Sequence, residues 1–155
     1  MKRVTAILML ATALSTPTLA QAAEVKVSAQ LDSYSGPGAY MAVYVTKPDG
    51  SFAQTLWVAG QKARYLGSLR GWYASASAAG EVKIDGITGA SIGSGQKLEG
   101  SVELADSMID AGYTVHVDTA VEHGKEYTDD AAAPLTSEGQ TVAGSGYVKA
   151  LSITM

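Results

Sequence analysis

The chain has 155 residues, of which 46% are hydrophobic and 17% charged, a balance typical of one globular domain rather than of a disordered or collagen-like chain. It contains no cysteine, which excludes disulfides, thiol catalysis and cysteine-ligated metal centres. The formal net charge is −4 and the sequence has no basic cluster, so we expect no binding of nucleic acid.

The N-terminal segment has the three parts of a secretory signal peptide. Residues 2–3 are basic, residues 4–14 form an apolar run, and Ala20 and Ala22 occupy the small-residue positions of a cleavage site. The apolar run is shorter than the about 20 residues that span a bilayer. We predict cleavage of residues 1–22 after Ala22, export to the periplasm, and a mature chain that does not span a membrane. The alternative is an N-terminal anchor that stays attached.

Alternating apolar and polar residues predict strands with one solvated face. Residues 24–32 form the first of these. Residues 39–46 and 52–58 flank a Pro-Asp-Gly turn and predict a hairpin. Further strands are expected at residues 82–84, 97–104, 113–122 and 147–154.

The remaining segments are predicted from their spacing and polarity. Tyr65, Leu69, Trp72 and Ala76 recur at helical spacing and predict one short helix across the sandwich. Residues 123–140 are polar and predict a long loop. Two glycines before the last strand, Gly144 and Gly146, suggest a β-bulge. In the strand at 113–122, alternation predicts that Val115, Val117 and Val121 point inward and that His116 and Asp118 point to solvent.

Taken together, the elements predict an all-β fold: an immunoglobulin-like β-sandwich of six or seven strands with one short helix, formed by residues 23–155. Such a fold does not specify an activity.

A glycine-rich loop, residues 85–95, carries the motif with the most chemical content. It lacks the Gly-Lys-Ser/Thr of a phosphate-binding loop and the glycine spacing of a dinucleotide-binding turn. One interpretation is a flexible glycine hairpin. A second starts from the stretch Asp-Gly-Ile-Thr-Gly-Ala-Ser at residues 85–91, which resembles the D-x-x-[ST]-G-A-[ST] sequon of proteins that carry covalent FMN.

That resemblance implies that an FAD:protein FMN transferase takes FMN from FAD and joins its phosphate to Ser91. Asp85, Thr88, Gly89 and Ala90 would be the residues that the transferase recognises. The acceptor here is Ser where Thr is commoner in such sequons, and both supply the hydroxyl that the phosphoester needs. Gly89 and Ala90 would leave the backbone open to the enzyme.

The order of several segments resembles a periplasmic family, the domain of unknown function 2271. These segments are residues 40–46 with the Pro-Asp-Gly turn, residues 55–57, residues 62–72, the 85–91 loop and the Glu-His-Gly step at 122–124. The resemblance implies electron transfer with a membrane redox protein of the PepSY type, and a link to iron reduction. The protein would then be a redox carrier more than an enzyme with its own substrate.

Other readings of the sequence stay open. His116, Asp118, Glu122 and His123 could form a metal site, although their spacing matches no zinc signature and a solvated strand face explains them as well. Trp57, Trp72, Tyr65 and Tyr73 could stack on a flavin or belong to the core. No catalytic residue is predicted, because no nucleophile elbow occurs. The alternative functions are a non-redox binding module, as an accessory subunit of a membrane or iron-uptake complex, and a metal-handling protein.

Overall fold

The computed structural model describes residues 20–82 and 88–155, and nine strands in these ranges form two sheets. The strands are β1 (Ala22–Leu31), β2 (Ala39–Thr46), β3 (Phe52–Ala59), β4 (Thr88–Gly89), β5 (Lys97–Ala105), β6 (Thr114–Val121), β7 (Glu126–Pro134), β8 (Gln140–Ala143) and β9 (Val148–Thr154). A 3₁₀ helix (Ala63–Ser68) precedes the helix α1 (Arg70–Ala78), and a second 3₁₀ turn spans Asp106–Met108.

The two sheets pack face to face, which confirms the predicted β-sandwich. The first sheet has the strand order β5-β1-β9-β8 and is antiparallel. The second has the order β3-β2-β6-β7, also antiparallel, and the two-residue β4 adds to β3 in parallel. Alternate side chains of both sheets fill the space between them, including Val25, Val27, Leu31, Met41, Val43, Val115, Val117, Leu151 and Ile153. The predicted inward positions in β6, Val115, Val117 and Val121, are therefore confirmed.

The second sheet is buried on its outer face as well, because α1 lies across it. All eight residues of β2 are buried. On the outer face Tyr40 and Tyr44 pack with Leu69, Trp72 and Ala76 in a second apolar cluster. The predicted short helix is thus confirmed, but it is divided at Leu69 into the 3₁₀ helix and α1.

The prediction of one long loop at residues 123–140, which was based on their polarity, is wrong. Half of them form β7, which pairs with β6 from Thr114↔Pro134 to Ala120↔Glu126, and the segment ends at the first residue of β8. Polarity does not exclude a strand at a sheet edge, where one side is solvated. In the strand predicted at 82–84, Val82 is outside any strand, and residues 83 and 84 lie outside the described residues.

Asp118 is fully buried rather than solvent-facing, because α1 covers its face of the sheet. Its carboxylate accepts hydrogen bonds from the backbone N–H of Trp72 at 2.8 Å, near the start of α1, and from the N–H of Asp129 at 3.0 Å. The Tyr44 hydroxyl donates a third, at 3.3 Å. A Cβ at Gly71 would lie 2.9 Å from the same carboxylate, so glycine allows the helix this close approach. Asp118 therefore anchors α1 to the sheet.

A second buried carboxylate, Asp130 in β7, fixes the connection between β8 and β9. It accepts hydrogen bonds from four consecutive backbone N–H groups, those of residues 145–148, at 2.7 to 3.1 Å, and from the Thr119 hydroxyl. Gly144 and Gly146 lie in this turn and not in a β-bulge. The register shift in this region lies between Gln30 and Leu31 of β1, opposite β9.

Replacing Asp130 tests this account of the β8–β9 turn. Asp130→Ala removes the carboxylate acceptor from the buried N–H of Val148 and the part-buried N–H groups of Gly146 and Tyr147, so we expect the free energy of unfolding to fall by about 3 kcal/mol or more. Denaturant unfolding followed by circular dichroism measures it. The matched control is Asp32→Ala, because the exposed Asp32 carboxylate makes no hydrogen bond to the described residues. Equal stability of the two variants would contradict the role of Asp130.

Because the Asp118 carboxyl is buried, we predict that its contribution to stability falls as the pH rises. Burial raises the pKa of its carboxyl above the ordinary value of 3.8, against the lowering effect of its hydrogen bonds. Its stabilising contribution is therefore complete below that ordinary value and is lost as the pH rises through the raised pKa. The stability of the wild type relative to Asp118→Asn should fall as the pH is raised from acid to neutral.

The control for this pH series is Glu122→Gln. A hydrogen bond from Lys62 lowers the pKa of Glu122 below its ordinary 4.5, so the contribution of Glu122 is present above that value and is lost in acid. Relative to this variant, the wild type should gain stability over the same pH range. Denaturant unfolding at each pH measures both differences, and a change of the same sign in both would contradict the assignment for Asp118.

Candidate functional site

The segment that carries Ser91 is held to the second sheet on both sides of the serine. The Gly60 N–H donates to the carbonyl of Gly89 at 2.9 Å. Ile92 exchanges two hydrogen bonds with Ala39, at 2.7 and 3.0 Å. Ala90 is exposed and Ser91 half-buried between these points. We call residues 89–92 the acceptor segment; its backbone position is fixed by the ends of β2 and β3.

Close packing explains two glycines at this segment. A Cβ at Gly38 would lie 2.9 Å from the Cβ of Ser91, so the serine side chain lies directly against the backbone of residue 38. A Cβ at Gly89 would lie 3.3 Å from Nε1 of Trp57. Glycine at position 89 therefore fits the packing of this protein, in addition to the enzyme access that the sequon suggests.

Residues 93–96, after Ser91, are also held by hydrogen bonds. The Ser94 hydroxyl donates to the Tyr34 carbonyl at 2.7 Å and accepts from the Tyr34 N–H at the same distance. The Gly95 N–H donates to the Asp32 carbonyl at 3.0 Å, and the Gln96 amide oxygen accepts from the Gly93 N–H at 3.1 Å. These bonds keep Ser91 at a fixed place relative to the β1–β2 connection.

Ser91 lies at the wall of a cleft of about 400 Å³, which we call the acceptor cleft. The other lining residues are Pro37, Gly38, Tyr40, Gln61, Lys62, Gly93, Gln96 and Glu122. The volume is within the range of small-molecule sites, roughly 300–1,000 Å³. Most of the side chains that reach it are polar, and Lys62 supplies a positive charge.

One polar group of three side chains forms a wall of the acceptor cleft. Lys62 Nζ lies 2.9 Å from Glu122 Oε1, and the Tyr40 hydroxyl donates to the same oxygen at 2.9 Å. The hydrogen bond to Glu122 raises the pKa of Lys62, and the bond from Lys62 lowers that of Glu122, so both stay charged at neutral pH. Burial, with Glu122 beside it, raises the pKa of Tyr40, which stays a neutral donor.

A second cleft, of about 200 Å³, lies on the other side of this wall, and we call it the tyrosine cleft. Tyr40 and Glu122 line both clefts. The other lining residues are Tyr65, Ser68, Ala120, Val121, His123, Gly124 and Glu126. His123 and Tyr65 thus lie near the acceptor cleft, which the sequence alone did not indicate.

The structure describes only part of the predicted sequon. Gly89, Ala90 and Ser91 are brought together at the acceptor cleft. Asp85 lies outside the described residues, and only the backbone of Thr88 is described, in β4 beside Val58. Sequence reasoning did not select Lys62 or Tyr40 as site residues, because the contacts of both with Glu122 join positions 60 and 82 residues apart.

Of the four aromatic candidates, only Tyr65 lines one of the two clefts. Trp72 is fully buried under α1 and donates its indole N–H to the Thr55 hydroxyl at 2.8 Å. Trp57 packs beside Gly89 and Gly100, and its buried Nε1 has no hydrogen-bond partner among the described residues. Tyr73 is 42% exposed on α1. Trp72 therefore belongs to the core, and Trp57 and Tyr73 line neither cleft.

The two histidines do not form a metal site with the neighbouring carboxylates. His116 Nδ1 lies 2.6 Å from Asp129, its Nε2 lies 2.8 Å from the Thr46 hydroxyl, and its ring stacks on Tyr44. His123 lies beyond the end of β6, in the turn to β7. Among the residues in the described ranges, no three His, Asp or Glu side chains are close enough to hold a metal ion.

Comparison with known proteins identifies the family. The family described as "Predicted periplasmic protein (DUF2271)" matches residues 22–150. This description confirms the predicted periplasmic localisation. Within residues 20–82 and 88–155, no helix has the length and apolar character needed to cross a membrane. No curated protein and no solved structure shows significant similarity to the chain. The chain belongs to the DUF2271 family of predicted periplasmic proteins.

Proposed function

We propose that this periplasmic protein carries FMN as a phosphoester on Oγ of Ser91 and acts as an electron carrier. The observation that supports this most directly is the place of Ser91: a half-buried serine at the wall of a cleft of about 400 Å³, on a segment whose backbone is bonded on both sides. The exposed Ala90 beside it leaves one side open to a modifying enzyme.

The proposed modification is a balanced group transfer. The Ser91 oxygen attacks the phosphorus on the FMN side of the FAD pyrophosphate. The P–O bond to the AMP half breaks, AMP leaves, and the serine hydroxyl proton passes to a base of the FAD:protein FMN transferase. No electrons are exchanged, so the step needs no oxidant or reductant.

The residues at the cleft fit such a group. A phosphodiester carries a negative charge, and Lys62 places an ammonium group in the same cleft. The Gln61 and Gln96 side chains are amides, which both donate and accept hydrogen bonds, as the hydroxyls of a ribityl chain require. The chain contains no cysteine, which excludes a cysteinyl flavin link, and the Ser91 hydroxyl supplies the oxygen that a phosphoester needs.

The carrier role follows from the chemistry of the attached group. FMN, when bound, supplies a centre that accepts and releases electrons. The protein supplies the covalent tether, the cation beside it and a cleft at the surface. The partners of this proposal are the FMN transferase and a membrane redox protein of the PepSY type, with which the flavin exchanges electrons, and the exchange is linked to iron reduction.

Replacing Ser91 tests the proposal. We expect the wild type, expressed with an FMN transferase and exported, to give a fluorescent flavin band on a denaturing gel. Its intact mass should increase by the mass of one FMN minus one water. Ser91→Ala should abolish both signals, because no oxygen remains to be esterified. Ser91→Thr should retain them. Thr88→Ala should leave part of the signal.

The matched control is Ser94→Ala, which removes a neighbouring hydroxyl that bonds to Tyr34. It should keep the flavin, and peptide mapping should place the modification on the peptide with Ser91. A colourless wild-type band would overturn the proposal and favour the binding module. Full labelling of Ser91→Ala would also overturn it.

A further inference from the structure

The tyrosine cleft has a specific use if Ser91 carries FMN, and this inference rests on the proposed function. We propose that the tyrosine cleft binds the isoalloxazine ring of the flavin anchored at Ser91, with the side chain of Tyr65 as the stacking surface and His123 at the rim. The acceptor cleft then holds the phosphate and the ribityl chain.

The first argument is continuity between the two clefts. Tyr40 and Glu122 line both, so a molecule anchored in the acceptor cleft needs to pass only one wall to enter the tyrosine cleft. That wall includes the Lys62–Glu122 ion pair, in which the Lys62 side chain is 49% exposed and the Glu122 side chain 17% exposed. Lys62 can turn towards a phosphate while the Tyr40 hydroxyl remains a hydrogen-bond donor to Glu122.

The second argument is the different chemistry of the two clefts. The acceptor cleft presents lysine, glutamine, serine and glutamate side chains, which suit a phosphate and a chain of hydroxyls. The tyrosine cleft presents the Tyr65 ring with Ala120 and Val121, and its lining also includes Ser68, Glu122 and Glu126. The aromatic ring offers a stacking surface for an isoalloxazine, and the carboxylate and hydroxyl oxygens can accept a hydrogen bond from its ring N–H.

The setting of Tyr65 supports its role as the stacking surface. Its ring centroid lies 5.5 Å from that of Tyr40, with the planes tilted by 53°, so it packs on a buried aromatic neighbour. The Arg64 guanidinium lies 4.9 Å and the Lys62 ammonium 5.6 Å from the Tyr65 ring centroid. These contacts hold the half-buried Tyr65 side chain, which lies in the 3₁₀ helix on the outer face of the second sheet.

The backbone of His123 adds an independent observation at the same cleft. His123 has a φ of 60°, in the left-handed region that non-glycine residues rarely adopt. It lies in the β6–β7 turn, where the Gly124 N–H donates to the Val121 carbonyl at 2.8 Å. Glycine or asparagine would adopt this conformation with less strain, yet the chain places an imidazole there.

The experiment uses the full exported protein loaded with FMN and measures the native flavin emission and its quenching by iodide. A phenol stacked on a flavin quenches its emission by electron transfer, and a ring inside a cleft is shielded from iodide. In Tyr65→Ala we expect a several-fold rise in native flavin emission and steeper iodide quenching. Tyr65→Phe should keep the shielding, because it keeps the ring, while emission rises.

The matched control is Tyr73→Ala, which removes an exposed tyrosine that lines neither cleft and should match the wild type in both measurements. Gel fluorescence establishes equal flavin loading, and circular dichroism establishes that each variant is folded. If all variants carry flavin and Tyr65→Ala equals Tyr73→Ala, the ring site is wrong while the attachment stands. If the wild type carries no flavin, both proposals fail.

Discussion

The arrangement of the whole protein depends on the burial of the second sheet on both of its faces. All eight residues of β2 are buried, one set against the first sheet and the other set against the 3₁₀ helix and α1. A strand with two apolar faces is stable in water only when something covers each face. The segment from Ala63 to Ala78 must therefore lie across the sheet. Its start then meets the ends of β2 and β6, and the two clefts form at that junction.

Covering the outer face also encloses polar groups, and the structure satisfies them. Asp118 accepts three hydrogen bonds under α1, and Asp130 accepts five at the β8–β9 turn. A buried carboxylate without such donors would cost several kcal/mol, about 3 to 5 by analogy with broken buried ion pairs. Both carboxylates therefore act as connections between segments distant in sequence. In a chain without cysteine, these connections help the apolar core hold the turns in place.

The same packing determines where the proposed flavin site lies. Ser91 is placed by backbone bonds of its neighbours to Gly60, which directly follows β3, and to Ala39, the first residue of β2. Lys62 follows Gly60 by two residues, and Glu122 follows the last residue of β6. The serine, the cation and the carboxylate thus meet because β4 pairs with β3, and only β2 separates β3 from β6 in the sheet. The attachment chemistry needs only the serine, whereas the surroundings of the group depend on this junction.

The sequence by itself determined the strands with regular alternation, the helical segment around Trp72 and the motif that ends at Ser91. These features follow from local periodicity and from short motifs, which need no knowledge of distant residues. It failed for β7 and for the face of Asp118, because a covering helix can bury a polar residue that alternation assigns to solvent. Only the tertiary structure brought Tyr40, Lys62 and Glu122 together and placed Tyr65 beside them. Contacts between positions 60 and more residues apart depend on strand order and on helix docking, and neither is encoded in any single stretch of sequence.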